Sequence, residues 1–176
     1  TLGSFIANAA YTLLNRYVLT ATLRADGSSM VGDDHTWGIF PSISGEWNVL
    51  KEPFMHTLKG ISTLKLRMGY GQSGNLGGIS AYTTMDNVQQ TGIVPVNNTP
   101  TVTLGAIRNN NPDLKWETKS TFNIGGEIGL WHNRLMLTAE YYYSKTTDML
   151  YAYDVPVPPF VYDKLLANIG SMLNQG

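Results

Sequence analysis

The sequence contains no cysteine, so a disulfide framework and a thiolate-bound metal are both excluded. Charge is scarce as well: Asp, Glu, Lys and Arg make up 14% of the 176 residues, against about 25% in an ordinary soluble domain. The formal net charge of −1 gives no long-range attraction for nucleic acid or for anionic lipid. No apolar run reaches the roughly 18 residues that a membrane-spanning helix needs. Strands that cross a membrane alternate and carry a weaker hydropathy signal, so a membrane protein built from strands is still open. Thr1-Leu2-Gly3 has no basic stretch of signal-peptide type, and Asn168-Ile169-Gly170-Ser171-Met172 reads as a strand stopped partway. Both ends suggest a piece of a longer chain.

What the sequence does have is alternation. Segments near residues 5–14, 17–25, 36–49, 63–71, 116–130 and 134–150 put apolar residues on one parity and polar or small residues on the other. Phe122, Ile124, Ile128 and Leu130 stand opposite Thr121, Asn123 and Glu127. Leu135, Leu137, Ala139, Tyr141 and Tyr143 stand opposite Thr138, Glu140 and Ser144. Leu64, Leu66, Met68 and Tyr70 oppose Lys65 and Arg67, while Trp37, Ile39, Ile43, Trp47 and Val49 oppose Ser42, Ser44, Glu46 and Asn48. Phe40-Pro41 interrupts that last pattern and predicts a bulge or bend. The parity places Leu64, Leu66, Phe122, Ile124, Ile128, Leu135 and Leu137 on one outward surface, with Lys65, Arg67, Glu127 and Glu140 on the concave side.

The connections differ by end. Leu14-Asn15-Arg16 and Trp131-His132-Asn133-Arg134 are tight turns on one side, joined there by residues 50–62, where Pro53 predicts a helical turn between Lys51 and Leu58. Residues 26–35, 72–115 and 151–165 fall on the other side and are longer. Tyr17, Trp37, Trp47, Tyr70, Trp116, Trp131, Tyr141 and Tyr143 are spaced as two interfacial girdles. These features predict an all-β fold: antiparallel up-and-down strands forming part of a large transmembrane β-barrel wall, open and incomplete. Short connections would be periplasmic and long loops extracellular. A soluble, secreted β-sandwich binding carbohydrate or protein shares the periodicity, but should pack its apolar face on a second sheet and keep loops similar at both ends.

Several stretches resemble the barrel of SusC/RagA-type TonB-dependent outer-membrane receptors from Bacteroidota. They are Leu19 through Ser29, Trp37-Gly38-Ile39-Phe40-Pro41-Ser42-Ile43-Ser44, Leu64 through Asn75, and Asn111-Pro112-Asp113-Leu114-Lys115-Trp116-Glu117. The strand from Asn133 through Tyr141-Tyr142-Tyr143 to Tyr151, and Asn168-Ile169-Gly170-Ser171-Met172, complete the series in family order. Met30-Val31 departs from the Arg-Phe more usual there. The resemblance implies that residues 1–176 are a partial receptor barrel domain without its plug, about a third of a barrel of about 22 strands. It further implies import of oligosaccharides or peptides under a SusD-like surface lipoprotein, driven by the TonB complex through regions absent from this chain, in contact with outer-membrane lipid. The excursion from Gly71 to Lys115 is expected to be extracellular and to contribute to substrate or lid contacts.

Signals of chemistry are weak. Gly69-Tyr70-Gly71-Gln72-Ser73-Gly74 has dinucleotide-fingerprint spacing, but Asn75-Leu76-Gly77-Gly78 follows instead of a helix that could hold a pyrophosphate. The bland reading is small residues facing a crowded lumen. Asp33-Asp34-His35 could offer oxygens to calcium, though too few ligands are local. His35, His56 and His132 lack zinc spacing. Asn75 replaces the last glycine that a nucleophile elbow around Ser73 would need. Asn97-Asn98-Thr99 fits a glycosylation sequon and indicates an exposed loop. The three tyrosines 141–143 could stack on sugars, or split between lipid interface and lumen. No catalytic residue, metal ligand, cofactor or nucleic-acid partner is expected, and the sequence singles out no ligand-binding residue.

Overall fold

The structure, a computed structural model, describes residues 2–55, 60–79, 88–96, 99–106 and 108–176, with only the backbone of Asp33. His56, Thr57 and Leu58 of the expected helical turn, and Asn97 and Asn98 of the sequon, lie outside the described residues.

Among the described residues nine strands form: β1 (Leu2–Leu13), β2 (Tyr17–Ser28), β3 (Trp37–Asn48), β4 (Ile61–Asn75), β5 (Val88–Val96), β6 (Thr99–Ala106), β7 (Glu117–Leu130), β8 (Leu135–Asp154) and β9 (Lys164–Gln175). Seven of them make one antiparallel sheet in the order β1-β2-β3-β4-β7-β8-β9, while β5 and β6 pair only with each other. The large sheet is open, with β1 and β9 at its edges. Every neighbour in it is also the next strand in the chain, apart from the β5–β6 hairpin inserted between β4 and β7. Among the described residues no second sheet packs on either face, and the soluble sandwich is therefore set aside.

The strand ends follow from local chemistry. Leu14 and Asn15 take positive φ of 52° and 53°, and the Arg16 amide donates to the Leu13 carbonyl at 3.0 Å. Two successive left-handed residues match the twist of the flanking strands, as hairpin turns require. Trp131, His132 and Asn133 repeat this between β7 and β8, with φ of 50°, 60° and 61°. The β3–β4 connection holds two short 3₁₀ turns, Val49–Lys51 and Pro53–Met55, the second starting at the expected proline. Counting strand directions puts these three connections at one end of the sheet, and the β2–β3, β4–β7 and β8–β9 connections at the other.

Two expectations need correction. No bulge occurs at Phe40-Pro41: β2 and β3 pair without interruption through Arg24↔Phe40 and Leu23↔Pro41. The β3–β4 ladder begins only at Ser42↔Gly71, so Pro41 sits beside an opening edge, where a missing N–H is tolerated. The register shifts of the large sheet lie elsewhere, between Ile61 and Thr63 in β4 and between Thr146 and Leu150 in β8. The excursion expected as loop from residue 72 instead continues β4 to Asn75 and then contains the β5–β6 hairpin. Pro95 and Pro100 face each other beside its turn, where both strands are edges and proline does little damage.

A small core lies at the long-loop end. Val31, Phe40, Leu76, Ile79, Leu114 and Trp116 are buried together, with Met30, Leu150 and Leu166 packed against them. The Phe40 and Trp116 rings meet edge-on, 5.6 Å between centroids. Trp116, expected in an aromatic girdle, is thus a loop-core residue. It folds inward because the segment before β7 docks on its neighbours.

Candidate functional site

The sheet has two chemically distinct faces, and register shows how each is assembled. One row runs across all seven strands: Asn8↔Thr22↔Ser42↔Gly71↔Thr121↔Ser144↔Asn174. Each member is a neutral hydroxyl, amide or glycine. The next row toward the short-turn end reads Ala10↔Thr20↔Ser44↔Gly69↔Asn123↔Tyr142. Hydrogen bonds knit these rows, from Asn8 Nδ2 to Thr22 Oγ1 at 2.7 Å, between the Thr121 and Ser144 hydroxyls at 3.1 Å, and from the Tyr142 hydroxyl to Asn174 Oδ1 at 3.2 Å. Cβ atoms on Gly69 and Gly71 would come within 2.6 Å of Asn123 Oδ1 and 3.0 Å of the Ser42 Cβ. The glycine-rich stretch is therefore a close-packed strand surface. It lies wholly inside β4, which leaves no helix N-terminus for a pyrophosphate and no elbow at Ser73.

Closer to the short-turn end this face becomes charged. Lys65 pairs with Glu127 in register, and Arg67↔Gly125↔Glu140 lies one row away, so the four charges expected to share a face do so. Lys65 Nζ lies 3.8 Å from Glu46. Partly exposed pairs of this kind contribute little to stability. They do set the electrostatic character of the wall.

The opposite face is apolar. Its rows include Ala9↔Ala21↔Ile43↔Tyr70↔Phe122↔Tyr143 and Leu64↔Ile128↔Leu137. Leu66 and Leu135 share it, as the alternation predicted. Met68, Phe122, Ile124 and Leu137 are 58%, 41%, 43% and 52% exposed, an arrangement that only a non-aqueous neighbour makes favourable. Tyr141 and Tyr143 lie here while Tyr142 points to the polar face, so the three tyrosines split between the two.

Asparagines organise the long-loop end. Asn109 Nδ2 donates to the carbonyls of Tyr162 and Lys164 at 2.6 and 2.9 Å, and its Oδ1 accepts the amides of Val161 and Tyr162. Asn111 donates to the Leu166 carbonyl at 2.9 Å. Asn168 accepts the Lys115 amide at 3.0 Å and donates to the carbonyls of Lys115 and Asp148 at 2.9 and 2.7 Å. The Gly32 amide donates to Leu114, and a Cβ on Gly32 would collide with the Pro112 carbonyl. Lys115 Nζ completes the clasp at 2.8 Å from Asp148. Asn111 through Trp116 thus ties the segment before β7 to β9, to the β8 irregularity and to the β2–β3 connection. The composition of that motif could have signalled this. The partners could not be read, because they lie on other elements far away along the chain.

A second cluster fastens the short-turn end. Glu52 is buried; its carboxylate accepts the Tyr17 hydroxyl at 2.6 Å, the Trp47 indole N–H at 3.1 Å and Arg16 at 3.1 Å. The Tyr17 and Trp47 rings stack at 6.2 Å. The Tyr17 hydrogen bond, with help from Trp47 and Arg16, outweighs desolvation and holds the Glu52 carboxyl below the usual glutamate range. Lys51 Nζ donates to the Asn15 carbonyl at 2.8 Å. Nothing in the periodicity pointed to Glu52.

The remaining candidates stay apart. Asp33–His35 is one 3₁₀ turn, with Asp34 and His35 exposed. His132 sits in the β7–β8 turn, its amide donating to Ser62 Oγ at 2.7 Å. Among the described residues no three His, Cys, Asp or Glu side chains gather as a metal site.

This two-faced sheet has close counterparts. Residues 2–176 match the family described as TonB dependent receptor-like, beta-barrel. The chain is 35% identical to TonB-dependent receptor P26 of Formosa agariphila, covering 99% of this chain and 17% of that protein. It is 36% identical to TonB-dependent receptor SusC of Bacteroides thetaiotaomicron, covering 100% of this chain and 18% of SusC. Among solved structures, the RagAB peptide transporter superposes with a TM-score of 0.86 at 28% identity over 99% of this chain and 19% of that one. The chain therefore spans under a fifth of the length of these relatives. It belongs to the TonB-dependent receptor β-barrel family, and its sheet is wall of an outer-membrane barrel.

Proposed function

We propose that residues 1–176 are a partial barrel domain of a nutrient importer, whose plug and TonB-contacting segments belong to other parts of the receptor. The substrates are oligosaccharides or peptides, and a SusD-like surface lipoprotein covers the extracellular mouth. The wall itself performs no catalysis. What carries the reading is the neutral row from Asn8 to Asn174, which spans every strand of the sheet. Hydroxyl and amide groups donate and accept in any combination, so they can exchange hydrogen bonds with sugar hydroxyls or peptide groups as either slides past. No single charge holds a passing ligand at that level. RagAB is a peptide transporter, and its likeness to this chain supports the peptide half of the substrate class.

Replacing Ser42 and Thr121 together by leucine in the intact receptor tests the proposal. Uptake should fall about tenfold as two wet positions become apolar, with surface expression unchanged. Normal uptake of every oligosaccharide and peptide the wild type imports would remove this row from the route.

A further inference from the structure

The apolar face is not uniform. At its short-turn end lies an open groove of about 580 Å³, lined almost entirely by carbon. Two adjacent rows frame it, Tyr11↔Leu19↔Gly45↔Met68↔Ile124 and Leu13↔Tyr17↔Trp47↔Leu66↔Gly126. Each row has a glycine where its neighbours carry large side chains. A Cβ on Gly45 would find only the Met68 side chain, at 3.9 Å, so the notch is real space that a larger residue could fill.

We propose that this groove is a binding site for one phospholipid of the periplasmic leaflet, its acyl chain in the notch at Gly45 and its phosphate at Lys51. Hydrophobic transfer alone cannot select the site, because bilayer hydrocarbon is as apolar as the groove. Selection must come from shape and from the head group, and both are present. The lower end of the groove is built by Leu13 and Tyr17, which flank the turn whose Asn15 carbonyl holds Lys51 Nζ at 2.8 Å. Lys51 is exposed, and among the described residues no carboxylate pairs with it. Arg16 is neutralised by Glu52, which leaves the Lys51 charge as the net local charge for a phosphodiester. Tyr17 and Trp47 stack at the same level with their polar tips on Glu52, so the rings are fixed where an amphipathic aromatic marks the head-group boundary. The connections at this end are the short ones, which places it in the periplasmic leaflet. The site is independent of whatever passes through the lumen.

Native mass spectrometry of the intact receptor, exchanged into mild detergent and titrated with phosphatidylethanolamine, tests the assignment. Wild type should retain one lipid that Gly45→Trp displaces and that Lys51→Glu weakens about tenfold or more, the worth of one charge-assisted hydrogen bond. Folding of each variant is checked by heat-modifiable migration. If Gly45→Trp fails to assemble, the exposed Lys51→Glu decides alone. Unchanged lipid occupancy in a folded variant overturns the proposal. A Gly45→Trp receptor that loses self-association but keeps its lipid also overturns it, and makes the groove a contact between copies.

Discussion

Ile124 lies midway along β7, between Met68 of β4 and Tyr141 of β8, on the apolar face. Arginine there should cost about 2–4 kcal/mol if the position is near the bilayer midplane, because lipid cannot solvate the charge. Urea unfolding of the intact barrel in lipid vesicles measures it, with Glu127→Leu on the other face as a milder control. The reverse ranking would mean the faces are exchanged. Glu52 gives a pH-dependent counterpart. Its folded carboxyl lies below the unfolded value of about 4.3, so its stabilisation is complete above that pH and is lost as pH falls through the folded value. Glu52→Gln should therefore lower the melting temperature of the intact receptor at pH 7, and the gap should shrink progressively as pH falls below the unfolded value. A gap still undiminished at pH 3 would show that the charge is not what matters. At this scale the sequence was informative wherever a side chain's role depends on parity. It was silent on Glu52 and Leu114, whose burial is made by distant segments meeting at the sheet ends.

At the scale of elements, the strands of the large sheet were legible because each carries a period-2 pattern that one wet and one apolar side impose. The β5–β6 hairpin was not, since both strands are edges and most of their residues are exposed. Neither side therefore had to be consistently apolar, and Pro95 and Pro100 read as breakers. Because the hairpin pairs only with itself, replacing Val88–Ala106 by a short Gly-Ser linker should leave barrel assembly intact. Uptake should fall if the excursion contributes substrate or lid contacts, and normal uptake with normal surface expression would deny it that role. The clasp predicts the opposite behaviour. Asn168→Ala removes three hydrogen bonds joining β9 to Lys115 and Asp148, and should cost about 1–3 kcal/mol. Hydrogen exchange at the Lys115 amide should accelerate selectively. Acceleration spread evenly over β7 and β8 would instead make Asn168 a determinant of the whole sheet.

For the whole molecule, the decisive property is that one ladder joins water on one side to lipid on the other. Cysteine scanning can read this directly, because these 176 residues contain no cysteine of their own. Single cysteines at Phe122, Asn123 and Ile124, and at their partners Tyr143, Tyr142 and Tyr141, sample both faces across one strand pair. In the intact receptor, in a background free of other cysteines, a charged maleimide should label positions 123 and 142 and spare 122, 124, 141 and 143. An uncharged, membrane-soluble maleimide should reach all six. The alternation must appear in both strands with the phase that the register dictates, since a slip of one residue would exchange every side chain between water and lipid. Labelling that runs continuously along a strand would mean that the face is not sealed by lipid. Labelling of 122 and 124 but not 123 would place the apolar rows in the lumen, and would remove the neutral row from Asn8 to Asn174 as a path for substrate.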